Sequence, residues 1–217
     1  WISKAPTAWT TPTPSSSDAM IICHCQSITD HEIRAAVDWM RAADADTVYR
    51  LAGVKEVAAG TLLPHPYDLE AAAKWIAQQQ ESFAAGNAIT FAIVLAEEER
   101  LIGSIGMEIA HEHQLARLSY WLGTNYWNQG YCTEAVRAVL DYGFTRLSLH
   151  RIYAPHFHNN PASGRVLRKV GMTYEGRMRE HYIRFGRFVD VEIYGILREE
   201  FLNDITHSRE AVERPRE

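Results

Sequence analysis

The sequence predicts an α/β fold with one mixed β-sheet, and three observations support this prediction. Hydrophobic residues make up 47% of the 217 residues, which is sufficient for a sizeable core. Segments with the apolar spacing of helices alternate with short runs that are rich in β-branched residues. A glycine turn at Gln129-Gly130 follows one of these runs and leads directly into a strongly periodic helix.

Composition divides the chain into three parts. Residues 1–18 are rich in Thr, Pro and Ser, and we expect them to be a disordered N-terminal extension or a cloning remnant. Residues 19–200 hold the periodic segments and are predicted to form a single domain. Charged residues are frequent in 201–217, which we expect to be a solvated C-terminal tail.

The domain is expected to begin with a strand and two helices. Residues 20–28 include β-branched residues ahead of a polar break, which favours a strand. The break, Thr29-Asp30-His31-Glu32, has the form of a capping box, and apolar residues follow it at helical spacing across residues 33–40. A second, shorter helix is predicted at residues 47–52.

A loop is predicted at Gly60–Tyr67, because Pro64 and Pro66 exclude a regular helix there. Asp68 is expected to cap the helix that follows. The chain then changes period, and strands are predicted at residues 89–96, 101–109 and 115–122. We expect these three strands to form an antiparallel meander, since only short polar turns separate them.

The second half continues with the glycine turn, its helix, and a strand at Arg151–Phe157. Pro155 lies inside that strand and cannot donate a ladder hydrogen bond, so the strand is expected to be unpaired on one side. Asn160-Pro161 starts a further helix that ends near Gly171. Two more strands are predicted at residues 173–183 and 188–197.

Charge and composition argue against several partners. The net charge is -5 and no basic run is present, which disfavours nucleic acid and anionic membrane surfaces. No apolar run approaches the roughly 20 residues of a membrane span. The three cysteines have no zinc-type pairing, so we predict reduced thiols, no metal and a cytoplasmic protein. The weaker alternatives for a metal are Cys23-His24-Cys25 and the histidine pairs at 111/113 and 156/158, each of which lacks a further ligand in sequence.

The glycine turn is a candidate anion site. Backbone N–H groups at a helix start have no intrahelical acceptor, and the helix dipole adds partial positive charge there. A pyrophosphate is therefore a plausible ligand. The candidate donors are Gln129, Gly130, Tyr131, Cys132 and Thr133.

Eight short segments recur in a fixed order along the predicted elements: Leu63–Tyr67, Leu101–Gly103, Ser119–Gly123, Tyr126–Ala135, His150–Arg151, Asn160–Ser163, Val170–Met172 and Gly186–Asp190. These segments and the order of elements resemble the GNAT N-acetyltransferases, most nearly the RimJ/RimL type, which acetylates protein N-terminal amines. The resemblance covers roughly residues 20–200 and implies a twisted, mostly antiparallel sheet. That sheet would be splayed between its fourth and fifth strands, with helices on both faces. Two departures are Trp127, where the superfamily usually has Gln or Arg, and Cys132, where it usually has Gly or Ala.

The resemblance implies acetyl-CoA as the acyl donor, with its pyrophosphate at the glycine turn. The amides of its pantetheine arm would pair with the strand edge at Trp121 and Leu122, as in strand addition. Pro155 would help to keep the fifth strand from closing onto the fourth.

The resemblance also implies catalytic roles. Ser163 is the expected general acid for the leaving thiolate, and Asn160 is expected to bind the cofactor or order water. His181 aligns with the position of the expected glutamate base, and its ordinary pKa near 6.5 suits proton uptake. Glu108 and Glu175 are the reserve carboxylates.

The expected acceptor is the α-amine of a protein or peptide, with specificity set by the loop at Gly60–Tyr67 and the turn at Arg184–Arg187. One alternative is a small amine such as a polyamine, an amino acid or an antibiotic. A second alternative, of another class, is a non-catalytic CoA-binding sensor or interaction domain, since a fold does not fix function. A homodimer is also considered, but the sequence pattern does not indicate which surface would form its interface.

Overall fold

The computed structural model describes residues 35–95 and 98–204, and they form an α/β unit. The predicted strand at residues 20–28 and the capping box at 29–32 lie outside the described residues. The strands of the α/β unit are β1 Ala35–Trp39, β2 Ala88–Leu95, β3 Arg100–Ala110, β4 Leu115–Leu122, β5 Arg151–Phe157, β6 Thr173–Arg184 and β7 Arg187–Leu197. Its helices are α1 Ala45–Ala52, α2 Lys55–Ala59, α3 Leu69–Ala84, α4 Tyr131–Thr145 and α5 Pro161–Lys169.

A single sheet in the described residues has the strand order β1-β2-β3-β4-β5-β7-β6. Neighbouring strands are antiparallel except for β4 and β5, which run parallel. The predicted mixed, mostly antiparallel sheet is therefore confirmed, and so is the meander of β2, β3 and β4.

The sheet is splayed between β4 and β5. Their parallel pairing covers only the register from Leu115↔Arg151 to Arg117↔Tyr153, and the strands then separate. Pro155 lies just beyond, opposite Ile193 of β7. The Arg198 N–H donates to the His150 carbonyl, and by the alternation of antiparallel ladders the nitrogen of Pro155 faces β4. The missing N–H of proline thus lies on the open side, as expected from the sequence.

Helices cover both faces of the sheet. On one face, α4 and α5 pack on β2–β5 and β7 through a core that includes Phe91, Val139 and Leu167. On the other face, α1 and α3 contribute Val48 and Ile76 to a second core. Both cores contain side chains that are at most 1% exposed. The sheet is therefore a buried central layer, and its splayed gap is held open between two packed faces.

One predicted helix in the described region is wrong. The helical spacing across residues 33–40 predicted a helix, but Ala35–Trp39 is strand β1, paired antiparallel with β2 from Ala35↔Leu95 to Trp39↔Phe91. The pairing satisfies backbone groups of β2 that would otherwise lie at an open sheet edge. This tertiary hydrogen bonding outweighs the local apolar period. The short helix α2 was also not predicted.

The ends of other elements lie close to expectation. The Asp68 carboxylate accepts the Ala71 N–H at 2.7 Å and caps α3, as predicted. Residues 198–204 are helical, and the buried Phe201 ring lies 5.2 Å from that of Phe144. Packed structure therefore extends past residue 200. None of the helices in the described part of the chain combines the length and apolar character that a membrane crossing requires.

Candidate active site

Two clefts meet in the gap between β4 and β5. The first, which we call the glycine-turn cleft, has a volume of about 520 Å³ and lies beside Gly130 and the start of α4. The second, the aromatic cleft, has a volume of about 350 Å³ and is lined by rings that include Trp75 and Tyr182. Both volumes are typical of small-molecule sites. The residues shared by both clefts are Gly60, Thr61, Tyr120, Trp121, Asn160 and Ser163.

The glycine turn presents the start of α4 to the first cleft. Gly130 is the N-cap residue, and its φ of 94° is a left-handed conformation that favours glycine. The Gly130 carbonyl accepts the N–H groups of Thr133 and Glu134 at 2.8 and 3.1 Å. The Thr133 N–H is thus used within the turn, although Thr133 lines the cleft. Gly130, Tyr131 and Cys132 also line it, at the positive end of the helix dipole.

Gln129 does not join this group. It is exposed, and its Nε2 donates to the Asn125 carbonyl at 2.8 Å. It is not among the residues that line the glycine-turn cleft. The Trp127 side chain has a different role at this point, because its indole Nε1 donates to the Leu122 carbonyl at 2.9 Å. The indole therefore ties the turn to the end of β4.

Two cations on α5 complete the glycine-turn cleft and were missed in the sequence. Arg165 and Lys169 lie one helical turn apart and both line the cleft. Their spacing of four residues, which places both on one helix face, was the available signal. Together with the start of α4, they make this end of the gap favourable for phosphate groups.

The open edge of β4 offers different backbone groups from those expected. The Gly123 N–H donates to the Ile102 carbonyl at 2.9 Å, which fixes the alternation of the β3–β4 ladder. The backbone groups of Trp121 therefore face β3, whereas those of Tyr120 and Leu122 face the gap. Leu122 therefore remains a candidate for pairing with a ligand at the strand edge. The backbone groups of Tyr120, and not those of Trp121, are the second candidate. The Trp121 side chain lines both clefts.

Asn160 links the two walls of the gap. Its side chain caps α5, because Oδ1 accepts the Ser163 N–H at 3.3 Å. Its Nδ2 donates to the Gly60 carbonyl at 3.4 Å. A Cβ on Gly60 would lie 2.8 Å from that Nδ2 and would displace the Asn160 amide from this contact. The described contacts of Asn160 therefore position α5 against the loop that begins at Gly60.

Ser163 forms a hydroxyl pair with Tyr120 at the junction of the clefts. The Tyr120 hydroxyl lies 2.7 Å from Ser163 Oγ and donates toward the Ser163 carbonyl at 3.3 Å. Burial raises the pKa of Tyr120 far above its ordinary value, so its hydroxyl stays protonated. Sequence reasoning missed Tyr120, although it lies in the conspicuous segment Ser119–Gly123.

Cys132 has no sign of an activated thiol. It lies at the start of α4, where a helix dipole would favour a thiolate. Burial nevertheless raises the pKa of its thiol to about 12. The thiol is therefore protonated at neutral pH and contributes packing rather than nucleophilic chemistry.

His181 is not brought together with Ser163. It is exposed on β6, its ring contacts that of Tyr182 at 4.5 Å, and it lines neither cleft. Tyr182, its neighbour in sequence, lines the aromatic cleft instead. Successive strand side chains point to opposite faces, so a difference of one position decides which of them reaches the gap.

The reserve carboxylates are both paired with arginine. Glu108 lines the aromatic cleft beside Arg117, whose Nε donates to it at 3.1 Å. This hydrogen bond raises the pKa of Arg117. Glu175 pairs with Arg151, and that hydrogen bond holds the pKa of the Glu175 carboxyl below its usual value. Glu175 is not among the residues that line either cleft.

The two segments expected to set specificity touch each other. The Arg184 guanidinium donates to the carbonyls of Ala58 and Leu63 at 2.6 and 2.8 Å. The turn at Arg184–Arg187 is thereby fixed to the loop at Gly60–Tyr67, and Leu62, Leu63 and Pro64 of that loop line the aromatic cleft.

Metal ligation finds no support in the part of the chain that the structure describes. No group of three or more His, Cys, Asp or Glu side chains there has a metal-binding arrangement. The alternative at Cys23-His24-Cys25 lies outside the described residues.

Comparison with known proteins identifies the class. The family described as "Acetyltransferase (GNAT) domain" matches residues 34–173, and the chain belongs to this family. It is an acyltransferase of the GNAT type. GNAT acetyltransferases use acetyl-CoA and act on amines of proteins or small molecules.

Three similar proteins illustrate the range of the family. "Uncharacterized N-acetyltransferase YoaA" of Bacillus subtilis is 30% identical over 71% of this chain and 88% of its own length. "Spermidine N(1)-acetyltransferase" of Vibrio cholerae is 30% identical over 51% of this chain and 65% of its own length. The structure of RimL, a ribosomal L7/L12 α-N-protein acetyltransferase in complex with coenzyme A, is similar in fold. It has a TM-score of 0.70 and 19% identity, over 76% of this chain and 95% of that one.

Proposed function

We propose that this protein transfers the acetyl group of acetyl-CoA to the α-amine of a protein or peptide. The observation that carries the proposal is the meeting of two clefts at the Tyr120–Ser163 hydroxyl pair. One cleft has the start of α4 in its wall, where an anion would bind, and the other is lined in part by the loop at Gly60–Tyr67. Their junction is where a donor and an acceptor would react.

The residues of the glycine-turn cleft fit acetyl-CoA. Gly130 and Cys132 lie at the start of α4, where a pyrophosphate would be bound, and Arg165 and Lys169 would pair with further phosphate charge. The backbone groups of Tyr120 and the N–H of Leu122, which face the gap, would hold the amides of the pantetheine arm, since the Leu122 carbonyl already accepts from the Trp127 indole. Bound in this way, the cofactor supplies a thioester at the junction of the clefts.

Ser163 would supply the proton for the leaving thiolate, because its Oγ lines the junction of the two clefts. The Tyr120 hydroxyl lies 2.7 Å from Ser163 Oγ and would hold that hydroxyl in place. Burial raises the pKa of Tyr120, so Tyr120 stays neutral and acts as a hydrogen-bond partner rather than as the acid. Asn160 positions Ser163 by capping α5.

The aromatic cleft favours an α-amine over a polyamine as the acceptor. Glu108 is the one carboxylate among the described residues that line this cleft, and Arg117 neutralises it. A polycation would gain little electrostatic attraction there. An α-amine has a pKa near 8 and costs about 1.4 kcal/mol to deprotonate at neutrality, whereas a lysine-type amine costs about 4–5 kcal/mol. A cleft with few charges suits the former.

A small amine is the second candidate, favoured by the likeness to the spermidine acetyltransferase of Vibrio cholerae. The test follows free thiol release from acetyl-CoA with a panel of short peptides with free or blocked N-termini, spermidine and free amino acids. We expect release with free N-terminal peptides and none with blocked ones. Turnover with spermidine alone would favour the small-amine function. Tight acetyl-CoA binding without turnover on any acceptor would indicate a CoA-binding sensor.

A further inference from the structure

A row of titratable side chains leads from the aromatic cleft to the protein surface. His156 of β5 lines the cleft, Glu192 of β7 lies beside it, and His158 lies beyond Glu192. The exposed fractions of their side chains rise along the row, from 3% for His156 through 19% for Glu192 to 51% for His158. The proposed roles of Ser163 and Tyr120 leave this row unused.

The hydrogen bonds of His156 define where a proton can be added. Its Nδ1 lies 2.8 Å from the Phe157 carbonyl, which only accepts, so Nδ1 carries a hydrogen. In the neutral ring, Nε2 then has a free lone pair. Nε2 is buried without a hydrogen bond and lies 3.4 Å from Glu192 Oε2. A proton added at Nε2 would face a carboxylate, so both ring nitrogens would then have acceptors.

The surroundings keep the ring neutral before it receives that proton. Burial is the main cause that lowers the pKa of His156, and Arg168 and His158 lower it further. Glu192 and the Phe157 carbonyl act in the opposite direction. The Tyr194 ring stacks on His156 at 5.6 Å, and its hydroxyl accepts from Arg168 Nη1 at 2.9 Å.

The ring also lies against the helix that carries Ser163. A Cβ on Gly164 would lie 2.9 Å from His156 Nε2, so α5 packs closely on this ring only because residue 164 has no side chain. Gly164 follows Ser163, which lines the same cleft as His156. The nitrogen that carries the free lone pair of His156 therefore lies next to the residue that follows Ser163, the proposed acid.

We propose that His156 and Glu192 form the site that receives the proton released by the acceptor amine, and that His158 passes it to solvent. The proposal rests on the acetyl transfer proposed above. An ammonium group in the aromatic cleft would give its first proton to Nε2 of His156 through a bridging water, because that nitrogen is itself buried. The free amine would then form the C–N bond. Its second proton would reach the thiolate through Ser163 as the C–S bond breaks. One proton per turnover would leave through Glu192 Oε1, which lies 2.7 Å from His158 Nδ1.

The activity test uses His156→Gln in the full-length protein. Glutamine keeps a polar amide of similar length at this position but cannot take up a proton. We expect kcat near pH 7 to fall about 100-fold, with unchanged affinity for acetyl-CoA. The loss should shrink toward about pH 10, where the acceptor amine deprotonates by itself. His158→Gln should give a smaller loss of the same pH dependence.

The matched control is His113→Gln, which removes an exposed histidine that lies 3.2 Å from Glu112 and lines neither cleft. Its pH profile should match that of the unchanged protein. A loss in His156→Gln that is equal at every pH would show a structural role and overturn the proposal. A pH-dependent loss of the same size in His181→Gln, with His156→Gln active, would assign the base to His181 instead.

A second measurement does not depend on turnover. Imidazole NMR signals would follow the titration of His156 in the unchanged protein and in Glu192→Gln. Loss of the carboxylate should lower the pKa of His156 by about one unit. An unchanged pKa would overturn the pairing even if acetyl transfer is observed. If no amine is acetylated, the proposed function fails while the titration still decides whether the proton site exists.

Discussion

Ser163 and Tyr120 form the residue-scale centre of the site, because their hydroxyls meet where the two clefts join. Neither hydroxyl is acidic on its own. Their 2.7 Å contact and the burial of Tyr120 make them a protonated pair rather than a charged one. Such a pair can protonate a thiolate and would leave the ground-state binding of a thioester almost unchanged.

We expect Ser163→Ala to lower kcat by about 100-fold, because it removes the hydroxyl nearest the leaving group. The affinity for acetyl-CoA, measured by calorimetry, should change less than about threefold. The α5 cap is preserved, since the Ser163 backbone N–H still reaches Asn160. Unchanged turnover would reject the role of Ser163 as the acid.

We expect Tyr120→Phe to lower kcat by about 10-fold, because the Ser163 hydroxyl loses its hydrogen-bond partner while the aromatic ring keeps its packing. The double variant Tyr120→Phe/Ser163→Ala should be little worse than Ser163→Ala alone, since the two hydroxyls act as a unit. Additive losses would show that Tyr120 acts independently of Ser163.

At the scale of elements, helix α5 places three polar side chains in the clefts between β4 and β5. Its first turn carries Ser163 and is capped by Asn160, and its next turns present Arg165 and Lys169 to the glycine-turn cleft. The start of α4 faces the same cleft. In the proposed function, these two helices together supply the positive charge that would bind phosphate.

We expect Arg165→Gln/Lys169→Gln to weaken CoA binding by about 10-fold at low salt, because two cations near phosphate are lost. The difference from the unchanged protein should shrink as the salt concentration rises. Lys74→Gln removes a cation of α3 that is paired with Glu70, and serves as the control. Calorimetric affinities at two ionic strengths would check this, and equal salt dependence in all three proteins would contradict it.

At the scale of the whole molecule, shifted pKa values limit the pH range of stability. The pKa of the Glu175 carboxyl is lowered by Arg151, and that of Asp190 by the Glu180 N–H. Burial lowers the pKa of His156 and raises that of the Cys132 thiol to about 12. Each of these groups binds protons differently in the folded and unfolded chain, so each links folding to pH.

We expect the free energy of unfolding to be greatest near neutrality. The unfolded chain takes up protons first below about pH 6.5 at His156 and below about pH 4.5 at the carboxyls. The free energy of unfolding therefore decreases as the pH is lowered. Above about pH 9, the unfolded chain loses the Cys132 proton first, so stability falls as pH rises. Urea denaturation across this range would check both limits.

A variant isolates one part of this pH dependence. Glu175→Gln should be less stable than the unchanged protein at neutral pH and should show a shallower loss of stability in acid. Glu70→Gln removes an exposed carboxylate from an i,i+4 pair and should change little. An acid slope that is the same in both variants would show that Glu175 does not contribute.

The sequence by itself determined the α/β class, the meander, the glycine turn and the order of elements from the loop at Gly60 onward. Those features depend on local chemistry: apolar period, caps and the fixed φ of proline. Only the tertiary structure decided that Ala35–Trp39 is a strand, since an open edge of β2 is satisfied from elsewhere in the chain. It also joined Tyr120 to Ser163, placed Arg165 and Lys169 beside the glycine turn, and left His181 outside both clefts. These contacts depend on strand register, bulges and the separation of β4 from β5. A shift of one residue moves a side chain to the opposite face of the sheet, and the local sequence does not indicate which distant residue it will contact.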